Sequence, residues 1–157
     1  MRELLVTIPE YEAKYRVAKK SKKSGKPRYW TVNGQGLYNA TLHFRLRSTI
    51  TKYFHKYLSK YIREQITKED ILTLSQGFAN RMVIGVSVDI YEIKRGKMPD
   101  IRNLWLWGKW FEDALQECGV IPDDNPDYVI ESGRTRYFWV DTAEERKLVF
   151  KIYFINI

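Results

Sequence analysis

Two acidic clusters lie about 22 residues apart in the chain, on either side of an amphipathic segment. Asp100 carries the first cluster, and Asp123 and Asp124 carry the second. Between them, Lys109 stands four residues before Asp113, so a helix would place this lysine and this carboxylate on one face. Mg²⁺ needs only one or two protein carboxylates, because water and substrate phosphate complete its coordination. The spacing therefore indicates a site for Mg²⁺ and a phosphate.

Each of these residues also has an ordinary structural interpretation. Asp100 follows a proline and suits the N-cap of a helix, where its carboxylate would accept a backbone N–H. Asp123 and Asp124 precede Asn-Pro, which is turn composition. Lys109 and Asp113 fit an i,i+4 surface pair worth a few tenths of a kcal/mol. The residues alone leave both interpretations open.

Length and composition predict a single soluble domain. The chain has 157 residues, of which 44% are hydrophobic and 15% aromatic, which is enough for a core. It contains no apolar run of about 18 residues and no secretory layout at the N-terminus, so we expect a cytoplasmic protein without a membrane partner. The lone Cys118, with only His43 and His55, argues against disulfide and zinc chemistry.

The excess positive charge is concentrated near the N-terminus. Eight cations and no acid lie in the segment 14–28, which equals the net charge of +8. They are Lys14, Arg16, Lys19, Lys20, Lys22, Lys23, Lys26 and Arg28. Because Ser, Gly and Pro interrupt the segment, it is typical of a mobile basic loop that binds a polyanion, although a solvated charge run is the alternative.

A second basic feature accompanies a predicted helix over residues 39–65. Its apolar residues recur at intervals of three and four and predict a core-facing stripe: Leu42, Leu46, Ile50, Tyr53, Phe54, Tyr57, Leu58, Tyr61 and Ile62. On the opposite side, five cations fall within a sector of roughly 80°. They are Arg45, Lys52, Lys56, Lys60 and Arg63. This basic ridge indicates phosphate contact, or else an ordinary solubilising face.

The remaining patterns predict an α+β fold in which a mixed β-sheet packs against two main helices. We expect strands over Glu3–Pro9, Met82–Ile93 (half-buried), 128–131, 136–140 and 147–157, with the third and fourth paired across Ser132-Gly133. A helix is predicted to open at Pro99-Asp100, to run to about Cys118 and to stop at Gly119, and Thr67-Lys68-Glu69-Asp70 suggests another helix start. Trp105, Trp107, Trp110 and Phe111 are predicted core or dimer contacts rather than base-stacking residues.

The segment from Asp100 to Asp124 resembles the signature of the RusA family of Holliday junction resolvases. In that family an Asp-x-Asp-Asn-Leu run precedes a lysine, then Asp-Ala-Leu, a glycine and an Asp-Asp pair. Here Lys109, Asp113-Ala114-Leu115, Gly119 and the second acidic cluster keep the family spacing over about 25 residues. The upstream order of strand, basic loop, helix and strand is also similar.

Two departures from the family pattern bear on activity. Arg102 stands where the family has its second aspartate, and the stretch from Asp100 to Lys109 is about three residues longer than usual. An arginine beside a metal site weakens cation binding unless another carboxylate replaces the lost ligand. Asp89 and Glu92 on the preceding strand are candidates for that replacement.

The resemblance implies a single RusA-like domain that acts as a Mg²⁺-dependent endonuclease on four-way DNA junctions, as a homodimer. By that resemblance, Asp100, Asp124 and Asp123 would hold the metal and Lys109 would neutralise phosphate charge. The basic segment and the basic ridge would bind backbone phosphates without reading bases. One alternative is a RusA-like chain that has lost catalysis and persists as a junction-binding or phage DNA-packaging partner. A less supported one is an RNA-binding module, because no RNA-binding signature is present.

Overall fold

The structure, a computed structural model, describes residues 3–17, 23–38, 43–96, 98, 101 and 104–155. Within these ranges it contains six strands and four helices. A 3₁₀ turn over Ala143–Glu145 connects the last two strands. In chain order they are β1 (Leu4–Pro9), β2 (Lys14–Val17), β3 (Arg28–Thr31), α1 (Gly34–Leu37), α2 (Phe44–Gln65), α3 (Lys68–Ala79), β4 (Val83–Ile93), α4 (Trp105–Glu117), β5 (Val129–Val140) and β6 (Lys147–Ile155). The predicted α+β class with a mixed sheet is confirmed.

The main sheet has four strands in the order β1-β6-β4-β5. β4 and β5 are parallel and are connected through α4, whereas the other neighbours are antiparallel. Val86, Val88 and Ile90 of β4 belong to the hydrophobic core, while Ser87 and Asp89 alternate to the other face. β4 was predicted to be half-buried, but it is buried along almost its whole length because it is a central strand.

The core lies between this sheet and the helices α2 and α4. The ring of Phe54 in α2 stacks on Trp110 in α4 at 4.7 Å between centroids, and Phe111 stacks on Phe150 of β6 at 4.1 Å. The Trp107 side chain is also fully buried. Each such aromatic side chain contributes about 2–3 kcal/mol by leaving water. The predicted core role of these aromatic residues is therefore confirmed, whereas Trp105 is partly exposed and stacks on Tyr38.

The basic segment 14–28 was predicted to be an irregular loop, and this is wrong at both of its ends. Residues 14–17 and 28–31 form the antiparallel hairpin β2–β3. The hairpin forms because its aromatic side chains find partners on the helices. Tyr15 packs on Tyr53 of α2 at 5.2 Å, and Trp30 packs on both Phe54 and Trp110. This packing anchors the basic segment to the helical layer.

Two short paired strands were predicted around Ser132-Gly133, but the structure has the single strand β5, parallel to β4. Gly133 has φ +74°, and the pairing register with β4 shifts between Gly85 and Ser87, next to this glycine. The glycine thus creates an irregularity inside one strand instead of a hairpin turn, because only a residue without Cβ adopts this conformation cheaply. Gly133 does adopt a turn-like backbone conformation, but pairing with the distant strand β4 keeps the chain extended on both sides of it.

The N-terminus of α4 also differs from the prediction. The helix begins at Trp105, and its N-cap is Leu104, which makes no side-chain capping hydrogen bond. Asp100 is therefore too early in the chain to cap α4, and it lies outside the described residues together with Pro99 and Arg102. Leu104 and Leu106 are buried at this start, and no side chain caps it. The predicted stop at Gly119 is confirmed, since its φ is +72°.

Other elements follow the predictions closely. β1, β4 and β6 occupy the predicted ranges to within a residue or two, apart from residues 156–157, which are not described. α2 begins at Phe44 and not at the predicted residue 39. In its predicted stripe Ile50, Phe54, Leu58 and Ile62 are buried, whereas Tyr53 is 40% exposed and Leu42 lies outside the described residues. α3 begins with a capping box in which Thr67 and Asp70 exchange hydrogen bonds. Across the described ranges, no helix has the length and apolar composition needed to cross a bilayer.

Candidate acidic site and basic surfaces

Three functional side chains of the candidate site project from the middle of α4. Lys109, Glu112 and Asp113 lie within about one helical turn of one another. The Lys109 ammonium approaches Asp113 Oδ1 at 3.5 Å, and its side chain is about half exposed. The predicted i,i+4 pair is therefore confirmed, and the lysine also lies at the surface, where a phosphate can reach it.

Glu112 is the functional candidate that the sequence analysis missed. Its residue is only 6% exposed, and Ser132 Oγ of β5 donates a hydrogen bond of 2.6 Å to Oε2. Burial raises the pKa of the Glu112 carboxyl; the Ser132 hydrogen bond opposes this rise, and the negative charge of Asp124 adds to it. The signal was present in the sequence, because Glu112 falls on the apolar stripe of α4 between Gly108 and Leu115.

The two aspartates that follow α4 have different environments. Asp123 Oδ1 accepts a hydrogen bond of 2.7 Å from the Asp124 backbone N–H, and Oδ2 accepts one of 3.0 Å from Asn125 Nδ2. The Asp123 carboxylate thus stabilises the turn. The Asp124 residue is exposed, and its charge raises the pKa of the buried Glu112. The structure therefore brings Asp124 electrostatically close to Glu112, whereas Asp123 has the turn role that its sequence context also allowed.

The fit of this site to Mg²⁺ depends on its donor chemistry. Among the described residues, no group of three or more His, Cys, Asp or Glu side chains is placed to hold a metal ion. Glu112 and Asp124, whose charges interact, would supply the one or two carboxylates that Mg²⁺ uses when water and a phosphate complete its coordination. Such a donor set would suit Mg²⁺ only if a ligand phosphate completed its coordination. It does not fit a metal held by protein ligands alone.

Asp89 and Glu92, the candidate replacement ligands, do not join this site. The Asp89 carboxylate pairs with Arg136 at 3.0 Å and with Lys151 at 2.9 Å on the sheet face opposite the helices. The Glu92 carboxylate accepts hydrogen bonds from Arg146 and from Tyr11. Burial opposes ionisation of both acids, but these partners outweigh it and lower both pKa values. Both carboxylates are neutralised by partners, so the prediction that either supplies a metal ligand is wrong.

His55 of α2 contacts two carboxylates of α4. His55 Nδ1 lies 3.1 Å from Glu117 Oε1, and His55 Nε2 lies 3.3 Å from Asp113 Oδ2. The Nε2 contact with Asp113 is an ion pair when the imidazole is protonated. Burial disfavours the imidazolium, yet the two carboxylates outweigh burial and raise the pKa of His55. This cluster joins α2 to α4 and holds Asp113, which also contacts Lys109.

The predicted DNA-binding cations that the structure describes are at the surface. Arg45, Lys52, Lys56, Lys60 and Arg63 are exposed along α2, as the helical spacing predicted. Lys14, Arg16, Lys23, Lys26 and Arg28 are exposed on the hairpin and its turn. By strand alternation, Lys14 and Arg16 share one face of the hairpin and Arg28 belongs to the other. Lys19, Lys20 and Lys22 lie outside the described residues.

Comparison with known proteins adds no assignment. The chain matches no protein-family model, and no curated protein is significantly similar to it. The functional argument therefore rests on the residues of this chain and their geometry.

Proposed function

We propose that this chain is a Mg²⁺-dependent, structure-selective DNA endonuclease that resolves four-way junctions in the manner of the RusA family. The observation that carries the proposal is the grouping of Lys109, Glu112 and Asp124 on and just after α4, which packs against the helix that carries the basic ridge. The acids and the lysine interact by charge, and the contact of His55 with Asp113 links α2 to α4, the helix that carries Lys109 and Glu112. A site that cleaves phosphodiesters needs this combination of oxygen ligands, a cation for the phosphate and a surface for the flanking backbone.

In the proposed mechanism, Asp124 and Glu112 supply oxygen ligands, with Asp100 as a further ligand implied by the family resemblance. Bound Mg²⁺ would polarise the scissile phosphate and lower the pKa of a bound water. Lys109 neutralises charge on the phosphate oxygens. The basic ridge and the hairpin hold the phosphates of the junction arms without reading bases. Hydrolysis forms a bond from a water oxygen to phosphorus and breaks the bond from phosphorus to the 3′ oxygen.

The raised pKa of Glu112 has a specific meaning in this mechanism. A raised pKa means that Glu112 holds its proton to a higher pH than an ordinary carboxyl does, and a bound divalent cation would favour its charged form instead. Burial disfavours the charged carboxylate of Glu112, and a neighbouring divalent cation would compensate that charge. Glu112 thereby replaces the ligand that the family pattern loses at Arg102.

A second candidate function is junction binding without cleavage. It is favoured by the absence of a group of three acids around Asp124 within the described ranges, and by Arg102 in the sequence. The two functions share the basic surfaces and differ only in the chemistry at α4. Both predict a preference for branched over linear DNA.

The experiment that tests the proposal is incubation of the wild-type protein with a synthetic four-way junction and with a linear duplex of the same sequence. The endonuclease predicts paired nicks in opposite arms of the junction with Mg²⁺, and intact DNA with EDTA. A homodimer with two active sites predicts that both nicks arise within one bound complex. Tight junction binding without nicks would support the binding function, and equal affinity for the linear duplex would contradict both.

A further inference from the structure

A cavity of about 290 Å³ lies on the helix side of β4, outside the acidic site. Its walls come from β4, from the N-terminal end of α4 and from the segment that precedes the hairpin β2–β3. They are mainly aromatic and aliphatic: Tyr11, Val32, Ile90, Leu104, Trp107 and Tyr137. Its volume is near the lower end of the range for small-molecule sites. Apolar walls of this kind suit a flat ring system, since every nucleobase has a π-face that stacks on aromatic side chains.

A buried ion pair forms one side of this cavity. The Glu92 carboxylate accepts two hydrogen bonds from Arg146, at 2.6 and 2.9 Å, one of 2.5 Å from Tyr11 Oη and one of 2.9 Å from the Ile93 backbone N–H. These four bonds saturate the carboxylate. Arg146 also donates to the Tyr11 carbonyl through Nη2, which leaves its Nη1 hydrogens without a partner among the described residues. The cavity thus offers guanidinium donors to a ring carbonyl or ring nitrogen.

The mouth of the cavity is cationic. A second hollow of about 490 Å³ shares Lys14, Arg95 and Arg146 with the cavity and adds Arg16. Its acids are Glu10 and Glu12, and Tyr53 Oη donates a hydrogen bond of 2.9 Å to the Glu12 carboxylate. Because Arg146 is already paired with Glu92, Lys14, Arg16 and Arg95 face the two acids, which leaves an excess of one positive charge. The adjoining hollow is suited to an anion that accompanies the ring.

We propose that the cavity and the adjoining hollow hold one unpaired nucleotide of branched DNA. The base would lie between the aromatic walls, and its phosphate would lie against Lys14, Arg16 and Arg95. This inference rests on the proposed function for the identity of the polymer. A junction favours such capture, because bases at a branch point lose part of their pairing and stacking and cost less to extrude. The nucleotide-binding site would explain how a protein that reads no sequence distinguishes a junction from a duplex.

The test uses a four-way junction with 2-aminopurine at one branch-point position, and a linear duplex with the same label. The wild-type protein is expected to change the 2-aminopurine fluorescence of the junction and to leave that of the duplex unchanged. Thr31, an exposed residue of the cavity wall, provides the blocking variant Thr31→Trp. This variant should abolish the fluorescence change while the basic ridge of α2 still binds the junction.

A matched pair of variants tests the contribution of the cationic cavity mouth to junction binding. Arg95→Gln removes a cation shared by both hollows, whereas Lys94→Gln removes its exposed neighbour, which lines neither. We expect Arg95→Gln to weaken junction binding about fivefold at 0.15 M salt, as one phosphate contact should, and to leave duplex binding unchanged. Lys94→Gln should alter junction affinity less than twofold. Equal effects of the two variants would contradict a nucleotide site at this mouth.

Failure of this inference is distinguishable from failure of the proposed function. Junction cleavage without a fluorescence change, or with a change that Thr31→Trp preserves, would overturn the nucleotide site alone. If the wild type binds no junction, deoxythymidine monophosphate provides an independent probe, followed by the NMR shifts of cavity residues. Weak binding that Thr31→Trp removes would support a site for a free nucleotide. No shifts at millimolar nucleotide would overturn the inference completely.

Discussion

Removal of three charges from the basic ridge should reduce both the affinity for a junction and its salt dependence. The triple variant Lys52→Gln, Lys56→Gln, Lys60→Gln changes exposed residues on successive turns of α2, about 6 Å apart along the helix. Glutamine is a good helix former and the three positions are exposed, so the fold should persist with the loss of one cation–π contact, that of Lys60 with Tyr61. From Arg45 to Arg63 the ridge extends about 27 Å, the length of about eight base pairs.

The magnitude follows from counterion release. Each phosphate neutralised adds about 0.9 to the slope of log affinity against log salt, so three lost contacts should lower the slope by about 2.7. At 0.15 M salt this corresponds to about a 100-fold loss of affinity. Fluorescence anisotropy with a labelled junction at several salt concentrations measures both quantities.

The control removes the same total charge elsewhere. Lys68, Arg81 and Lys94 are exposed and lie outside the ridge and the hairpin. Their triple change to glutamine should lower the slope by less than about 1, since only direct contacts release counterions one for one. If the control variant lost as much affinity and slope as the ridge variant, the binding would depend on net charge, and the assignment of the ridge as a DNA surface would be refuted.

Three further predictions concern stability. Burial raises the folded-state pKa of Glu112 above its unfolded value near 4.5, so the stabilising contribution of its protonated form is present below that pH and is lost as pH rises through the folded pKa. In urea unfolding, Glu112→Gln should therefore gain stability relative to wild type as pH rises above about 4.5. An unchanged difference across this range would contradict the buried acid. His55 also has a raised pKa, so wild type should lose stability relative to His55→Gln as pH rises from about 6 through the folded pKa, and parallel pH profiles would refute the ionic contact with Asp113 and Glu117. Arg146→Met should lower the free energy of unfolding by about 3 kcal/mol, because it leaves the buried Glu92 carboxylate without its cation. Arg136→Met should lower it much less, since Arg136 is half exposed and Lys151 still pairs with Asp89. Equal shifts of the two urea midpoints would show that burial does not determine the loss of stability.

The elements that were predicted correctly are those whose signals are local. α2 follows from apolar residues spaced by three and four, and α3 follows from the capping box at Thr67 and Asp70. The end of α4 follows from Gly119, whose conformation few other residues adopt. In each case neighbouring residues alone determine the backbone, so one sequence suffices.

The incorrect predictions involve partners that are distant in sequence. The hairpin β2–β3 depends on Trp30 reaching Phe54 and Trp110, and no pattern within residues 14–28 predicts those contacts. β5 remains one strand past Gly133 because it pairs with β4, about 45 residues earlier in the chain. The residue spacing of α4 likewise does not reveal that Ser132, 20 residues later in the chain, donates a hydrogen bond to Glu112.

The candidate site was predictable in outline and not in detail. The acidic pattern directed attention to Lys109, Asp113 and Asp124, and the structure places Asp124 near enough to α4 for its charge to act on Glu112. Asp123 was predicted as a metal ligand, whereas no role was predicted for Glu112. A turn uses the first of these carboxylates, and the apolar face of a helix buries the second. Burial, which the spacing of acids does not reveal, decides which of them has a perturbed pKa.

The most direct test of the account is the rate of junction cleavage under single-turnover conditions with Mg²⁺. Asp124→Asn and Glu112→Gln should each lower the rate at least 100-fold while junction affinity stays within about twofold, because an amide keeps the shape but lacks the charge that a hard cation requires. The exposed Asp127, in the same turn, provides the matched control Asp127→Asn, which should cleave as wild type does. Wild-type cleavage by both Asp124→Asn and Glu112→Gln would contradict the assignment of this site.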